Sequence, residues 1–407
     1  MTAALRPDTE DAVVAAVADA LADDAVLEIV GRGTKRGLGH AVRARRVLDL
    51  SALSGIVLYE PEELVLSARA GTTLSDIQAA LAERNQALAF EPPDWGPLYG
   101  GPARAGTLGG AVAANLSGPA RIRSGAARDH VLGLRAVTGR GELVKTGGRV
   151  VKNVTGYDLC KLLTGSMGTL AALTEITVKV LPAPEKIRTL LVLGADGAMA
   201  LAAMETALQS PHDVSGAAHL PAYAAARSAV SYVSGAGASV TALRVEGPAP
   251  SVEARCLALK TLLAGFGPLE ELHFRNSRTL WAEIGSASLL VRGGDPLWRI
   301  SVPPTAGPRV GAVLARTLGA EIVADWGGGL LWARVPAALE DAGHASVRAA
   351  IARPGGHATL VRANDAVRAS VPVFQPPAPG IARLNARIRD GFDPKRILNP
   401  GRMGAEP

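Results

Sequence analysis

Three short stretches of the chain combine glycine with small hydroxyl and amide side chains. These residue types let backbone N–H groups reach an anion or a flat ring. The first, GRGTKRGLGH (31–40), follows the apolar run AVLEIV (25–30) and carries Gly31, Gly33, Gly37 and Gly39. The second, GTLGGAVAANLSGP (106–119), offers Thr107, Asn115 and Ser117 as hydrogen-bonding side chains, with Gly109, Gly110 and Gly118 between them. The third, GSMGTL (165–170), separates a helical pattern from the strand pattern TEITVKVLP (174–182). Without Cβ atoms in the way, several N–H groups can converge on a phosphate. All three loops precede the strand's end at 182, which favours one extended ligand touched at several points.

None of the three is a familiar fingerprint. Gly31 and Gly33 fit the opening of G-x-G-x-x-G, but the third position is Arg36, and AVRARRVLDL after it reads as strand rather than helix. No G-K-[ST] closes a spaced glycine pair, so a P-loop is excluded. The stretch is a phosphate loop of another kind or a plain turn. In the second stretch, AVAAN predicts one or two helical turns whose N-terminus would attract phosphate. The alternative is a small-residue helix packed in the core, against which Asn115 speaks, because a buried amide needs partners. The apolar 20-residue span that a membrane G-x-x-x-G requires is missing.

The elements that must hold these loops follow from the pattern. Residues 9–22 predict a helix and 25–30 a strand, with two more short strands around 47–61. EELVLSARAGTTLSDIQAALAERN predicts strand, turn and helix, capped by Thr73 or Ser75. DHVLGLRAVTGRGELVKTG predicts a hairpin. Beyond Pro182 and Pro184 a new alternation begins, with helices at 197–209 and 251–264 among strands. QPPAPG (375–380) reads as a linker, and the final segment as a helix followed by a turn-rich tail.

Composition narrows the class. A chain of 407 residues, 48% hydrophobic and 20% charged, can bury large cores. The net charge of +6 comes from dispersed arginines, and aromatics are only 4%, so no nucleic-acid surface is indicated; small anionic ligands fit better. Cys160 and Cys256 are too few and too far apart for a zinc or iron–sulfur site, so no metal site is expected. His212 and His219, seven residues apart, read as ordinary polar residues rather than metal ligands. Acidic residues interrupt MTAALRPDTEDAVVAAVADAL, which reads as an amphipathic helix and not a signal peptide. No membrane span is expected, and the reading is cytoplasmic, with peripheral attachment to the inner membrane through partners.

The order GRGTK, EPEELVLSARAGTTLSDIQAAL, GTLGGAVAANLSGP, DHVLGLRAV, TGYDL with GSMGTLAALTEITVKV, and FDPKRILNPGRM resembles the vanillyl-alcohol-oxidase, or PCMH-type, FAD-binding family. Within it, the resemblance is to the FAD-binding E subunits of bacterial glycolate oxidase. It covers nearly the whole chain. It is strong over 25–182 and specific again over 392–403; DWGGG (325–329), GGHATLVR (355–362) and LWRISVP (297–303) look like those subunits' own pattern.

The resemblance implies an α+β fold: a PCMH-type FAD-binding domain of two α+β subdomains over 1–183, an α+β cap domain over 184–374, and a C-terminal segment over 375–407 returning to the FAD domain. It implies noncovalent FAD, since the first loop offers Arg32 and Thr34 with His40 only at its far end. Gly31, Arg32, Gly33, Thr34 and Lys35 would wrap the pyrophosphate. Thr107, Gly109, Gly110, Asn115, Ser117 and Gly118 would line the pyrophosphate and the ring. Asp129, Val131 and Leu132, with Gly168, Thr169, Glu175 and Ile176, would hold the ribityl and adenosine end. Asn399 and Arg402 would bring the tail back.

For the chemistry, Arg299 and Arg362 would bind a substrate carboxylate, His357 would act as base, and Trp298 and Trp326 would wall the pocket. The implied function is the FAD-binding subunit of a glycolate oxidase or dehydrogenase complex that turns glycolate or a related 2-hydroxy acid into the 2-oxo acid. Its partners would be a homologous FAD-binding catalytic subunit and an iron–sulfur subunit. Relatives acting on D-2-hydroxy acids carry an H-G-D-G-N-like metal cluster that this sequence lacks. A non-catalytic or electron-relay flavoprotein partner is therefore the alternative.

Overall fold

The structure is a computed structural model that describes residues 3–150 and 156–404; Thr155, which opens the TGYDL motif, lies outside them. The chain divides into two compact units. One comprises Met1–Leu116, Ala126–Pro182 and Pro376–Pro407, the other Ser117–Gly125 and Ala183–Gln375. The stretch 106–119 thus begins in the first unit and ends in the second.

The first unit holds two sheets. Strands β1 (Ala3–Leu5), β2 (Leu27–Val30) and β3 (Arg46–Asp49) form a parallel sheet in the order β1–β3–β2. The helix Glu10–Ala22 starts at Thr9, whose hydroxyl accepts the Ala12 N–H at 3.2 Å, and it buries Val13, Ala16, Val17 and Ala20. This i, i+3, i+4, i+7 stripe packs with Leu27, Leu48, Ile397 and Leu398 in one core.

Strands β4 (Ile56–Glu60), β5 (Val65–Arg69), β7 (Val131–Thr138), β8 (Leu143–Gly147) and β9 (Ala171–Lys179) form an antiparallel sheet in the order β4–β5–β9–β7–β8. The expected hairpin is β7–β8. Strand β9 lies between two partners, which suits its almost uninterrupted run of buried residues. The helix Leu74–Ala82 covers this sheet and is capped by Thr73, not Ser75. The short strands β6 (Gln86–Ala87) and β10 (Leu181–Pro182) pair with each other.

The tail belongs to the first unit. Asp393, fully buried, accepts the N–H groups of Ile397 at 3.1 Å and Leu398 at 2.8 Å. That turn aims the chain at β2, where Leu398 bridges Leu27 and the Asn399 N–H reaches the Leu27 carbonyl at 3.0 Å.

The second unit is an antiparallel eight-stranded sheet in the order β14–β11–β13–β12–β16–β17–β15–β18. Its members are β11 (Lys186–Leu193), β12 (Gly216–Leu220), β13 (Val240–Gly247), β14 (Leu269–His273), β15 (Leu297–Ser301), β16 (Glu321–Asp325), β17 (Leu330–Arg334) and β18 (His357–Arg362). Among the described residues, the helix Phe274–Ser286 buries Leu280, Trp281 and Ile284 against it, and two further cores cover it. One gathers the helices Gly197–Leu208 and Ala249–Leu263. The other gathers Gly307–Leu318 and His344–Ala352. The halves meet at β12 and β16, where His219 pairs with Ala324. Among the described residues, no helix is long and apolar enough to cross a membrane.

Candidate functional site: an anion cradle and a cationic cluster

In the first unit the GRGTK loop leaves the end of β2 and lines a groove together with Ile29, Thr107, Gly110, Ala113, Ala114, Met167, Asn399 and Arg402. Gly33 holds a left-handed backbone, φ 72°. Carbonyls of the loop turn inward: Gly33 accepts from Arg36 and Lys35 from Leu38. Among the described residues, the N–H groups of Arg32, Gly33, Thr34 and Lys35 have no protein acceptor. A run of such N–H groups on the wall of a groove is an anion-binding nest.

Lys35 adds charge to it. Its ammonium donates to the Thr34 hydroxyl at 3.1 Å, and burial brings its pKa down to about 8, with Asp94 opposing the shift. Two neighbouring cations, Arg36 and Arg402, are otherwise occupied. Arg36 pairs with the buried Glu28 (Nε–Oε1 2.9 Å), and Arg402 lies 3.6 Å from the same carboxylate and donates to the Lys35 carbonyl at 3.2 Å. Glu28 was not among the expected site residues, although an acid inside the apolar run AVLEIV marks it. It engages Arg36 and Arg402, which leaves Lys35 and the exposed Arg32 as the loop's cations for a ligand.

The second glycine stretch behaves differently from the expectation. Its helix, Leu108–Ala113, is only six residues long and begins at Thr107. The N–H groups of Leu108, Gly109 and Gly110 already bond to Thr72 O (2.9 Å), Ala70 O (2.9 Å) and Thr107 Oγ1 (3.2 Å). The helix N-terminus is therefore spent on protein acceptors and offers nothing to a phosphate. Gly109 is buried, and a Cβ there would come 2.8 Å from both the Cβ and the carbonyl oxygen of Ala70, so this glycine serves packing. Gly110 is the one that opens on the groove, with Lys35 Cε 3.0 Å from where a Cβ would sit.

The GSMGTL turn docks on the other end of this helix. The N–H groups of Gly165 and Met167 reach Val112 O (3.0 Å) and Ala113 O (2.9 Å), satisfying two of its last carbonyls. Gly168 has φ 71° and a Cβ there would meet Asn399 Nδ2 at 2.8 Å. Thr169 is buried and donates to Ser166 O at 2.7 Å. Asn399, also buried, accepts the Ile29 N–H at 2.9 Å and donates to Met167 O at 2.8 Å. One tail side chain thereby ties the end of β2 to the third glycine turn.

The other expected cofactor residues have local duties. Asn115, at φ 47°, accepts the Arg128 N–H at 3.1 Å. The Asp129 carboxylate accepts the Ala126 N–H at 2.9 Å, closing the start of a short helix. Val131 and Leu132 open β7. Ile176 is fully buried in the core, and Glu175 stands opposite Arg69 and Arg135 in the sheet. Ser117 and Gly118 fall in the second unit.

That unit carries the expected catalytic residues. Trp326, at φ 53°, donates its indole N–H to Gly118 O at 3.2 Å. The Arg299 guanidinium lies 4.9 Å from the Trp326 ring centroid, and that of Arg121 lies 4.6 Å from it. Arg299 is pushed down to about 10 by burial and by Arg121, with Asp325 opposing. His357 is lowered by burial and by Arg299, Arg121 and Arg348, so its imidazole is neutral near pH 7.

Two expectations for this cluster need correction. Trp298 is fully buried, donates to Ala342 O at 2.8 Å and belongs to a hydrophobic core, so it walls no pocket. Arg362 sits at the far end of β18 from His357, about 17 Å away at strand rise, and is held by the Gly293 carbonyl. Arg121 was not anticipated, because nothing in the run GPARIRSG links it to a tryptophan two hundred residues later.

The comparisons with known proteins agree with the cradle. Residues 1–147 match the model of a family described as an FAD binding domain. The chain is 36% identical over 403 residues to the glycolate oxidase subunit GlcE of Escherichia coli (strain K12), covering 98% of each. It is also 32% identical over 176 residues to the glycolate oxidase subunit GlcD of Bacillus subtilis, covering 43% of this chain and 34% of that protein. A crystal structure of p-cresol methylhydroxylase with substrate bound superposes with a TM-score of 0.75 at 16% identity, covering 99% of this chain and 88% of the other, which establishes the PCMH-type fold. The family model and the relatives together make this chain an FAD-binding oxidoreductase, consistent with its fold. The chain belongs to the family of the glycolate oxidase subunit GlcE.

Proposed function

We propose that this chain is the flavin-bearing subunit of a glycolate oxidase-type complex and takes part in oxidising glycolate or a related 2-hydroxy acid to the 2-oxo acid. The observation that carries the reading is the nest at 32–35 with Lys35 beside it, inside a chain that matches GlcE end to end. Bound FAD supplies the two-electron acceptor that side chains lack. The chain's own residues do the rest. The loop N–H groups and Lys35 hold the diphosphate. Arg299 holds the substrate carboxylate, and His357, neutral at pH 7, accepts the hydroxyl proton at an imidazole nitrogen.

The flavin is held noncovalently. The partners are a homologous FAD-binding subunit and an iron–sulfur subunit that carries electrons onward, since Cys160 and Cys256 are both buried and lie in different units. The setting is cytoplasmic, with peripheral attachment to the inner membrane through those partners. Anaerobic titration of the flavin-loaded chain with glycolate and with D-lactate tests the reading. Bleaching of the flavin absorbance by the isolated chain supports it. Bleaching that appears only with companion subunits assigns the chemistry to a partner and leaves this chain as a relay.

A further inference from the structure

Strand β15 places alternate residues on opposite faces of the second unit's sheet. Trp298 and Ile300 point into a hydrophobic core, so Arg299 and Ser301 share the other face. On β18 the buried Ala358 and Leu360 leave His357 and Thr359 on that same face. The register sets Ser301 directly opposite His357, and Arg299 opposite Thr359. Side chains opposed in this way start about 5 Å apart. The Arg299 guanidinium leans into the row of Ser301. It lies 4.9 Å from the ring centroid of Trp326, the residue after Asp325, and Asp325 pairs with Leu330, the neighbour of Ser301 on β17. Ser301 is thus flanked by the imidazole on one side and the guanidinium on the other.

Ser301 is half-buried, and among the described residues its hydroxyl has no protein hydrogen-bond partner; nor have the side chains of Arg299 and His357. Fully buried hydroxyls on this sheet are satisfied within the protein, Thr189 by Ser277 at 2.6 Å and Thr241 by His219 at 3.0 Å. We infer that Ser301 is a specificity-determining residue of this site. Its hydroxyl donates to the oxygen on C2 of the acid and so distinguishes 2-hydroxy acids from their deoxy counterparts. The inference rests on the reading of Arg299 and His357 given above. A substrate hydroxyl offers two lone pairs and one proton. With one lone pair held by Ser301, its proton turns to His357, and the carboxylate one carbon away turns to Arg299. An acid with hydrogen at that position leaves the Ser301 hydroxyl covered by carbon and unpaired, which costs binding.

The test uses the flavin-loaded full chain and isothermal titration with 2-hydroxy-2-methylpropanoate and 2-methylpropanoate. The two acids differ only in the 2-hydroxyl, and the first has no C–H on its carbinol carbon and cannot be oxidised there. The parent protein should bind the hydroxy acid more tightly. Ser301→Ala should weaken the hydroxy acid about 3- to 10-fold, the worth of a neutral hydrogen bond, and leave the deoxy acid within about twofold. Ser301→Thr, which keeps the hydroxyl, should retain the preference. Thr359→Val removes a hydroxyl from the same face one row away and should leave the preference in place. Arg299→Met should weaken both acids by the same factor. If Ser301→Ala keeps the preference while Arg299→Met weakens both acids, the inference is wrong and the Arg299 reading stands. If Arg299→Met leaves both acids unchanged, the carboxylate reading fails and the inference fails with it. Equal binding of the two acids by the parent, or a preference lost in Thr359→Val and kept in Ser301→Ala, also overturns the assignment. Circular dichroism establishes that each variant is folded, and Ser301→Cys carries the test if Ser301→Ala is not.

Discussion

Gly109 and Gly110 are adjacent, and the sequence treats them alike; their surroundings do not. A Cβ on Gly109 would press on the Ala70 backbone, which cannot yield, whereas one on Gly110 would meet only Lys35 and the Thr107 hydroxyl. Gly109→Ala should therefore cost about 1–3 kcal/mol of stability, the usual penalty of overpacking, measured by chemical denaturation. Gly110→Val should leave the protein folded but abolish flavin retention, read as the flavin-to-protein absorbance ratio after gel filtration. Stoichiometric FAD in that variant would return the whole stretch to packing. Lys35 sets a pH dependence. With its pKa at about 8, the Lys35 amine of the free cradle is cationic below that value and loses its charge above it. FAD affinity should fall as pH rises through about 8, and Lys35→Met should bind weakly with no such inflection, as ultrafiltration across this range would reveal. The sequence shows that a lysine follows G-x-G-T, but not that Glu28 occupies Arg36 and Arg402 and leaves Lys35 available.

At the scale of elements, the tail behaves as part of the flavin unit's wall. Asn399 suits its place because an amide can hydrogen-bond locally and tolerate φ 44°. Asn399→Ala would strand the Ile29 N–H and the Met167 carbonyl, both bonded to that side chain, and should cost roughly 2–4 kcal/mol. A loss under 1 kcal/mol by urea unfolding would show that water replaces the amide. His219, on β12, contacts the Thr241 hydroxyl at 3.0 Å, and burial lowers its pKa to about 4. An unfolded histidine takes its proton near pH 6.5, so the stability of the folded state is full above that value and declines as pH falls from 6.5 towards 4. His219→Gln should flatten this part of the acid-stability profile. Periodicity alone located most helices and strands, because apolar spacing answers directly to burial. The resemblance misplaced Trp298, and the pattern at 106–119 predicted helical turns but not that their N-terminus is occupied: which side of a strand faces a core, and which N–H groups are already spent, depend on neighbours distant in sequence.

For the whole molecule, the presence of two units with separate cores predicts that loss of flavin and loss of fold are separable. Acid precipitation should release all the flavin into the supernatant; flavin left on the pellet would mean a covalent bond. The segment Ser117–Gly125 has a wider consequence. It leaves the first unit after Leu116 and rejoins it at Ala126, so the chain crosses between units four times, with Pro182/Ala183 and Gln375/Pro376 as the other two junctions. A protease cut at 182 would not free either unit, because three covalent connections remain. Residues 183–375 expressed alone would lack both Arg121 and the carbonyl that fixes Trp326. Transplanting the second unit of one relative into another would require moving two pieces together, one of them only nine residues long and embedded in the sequence of the first unit.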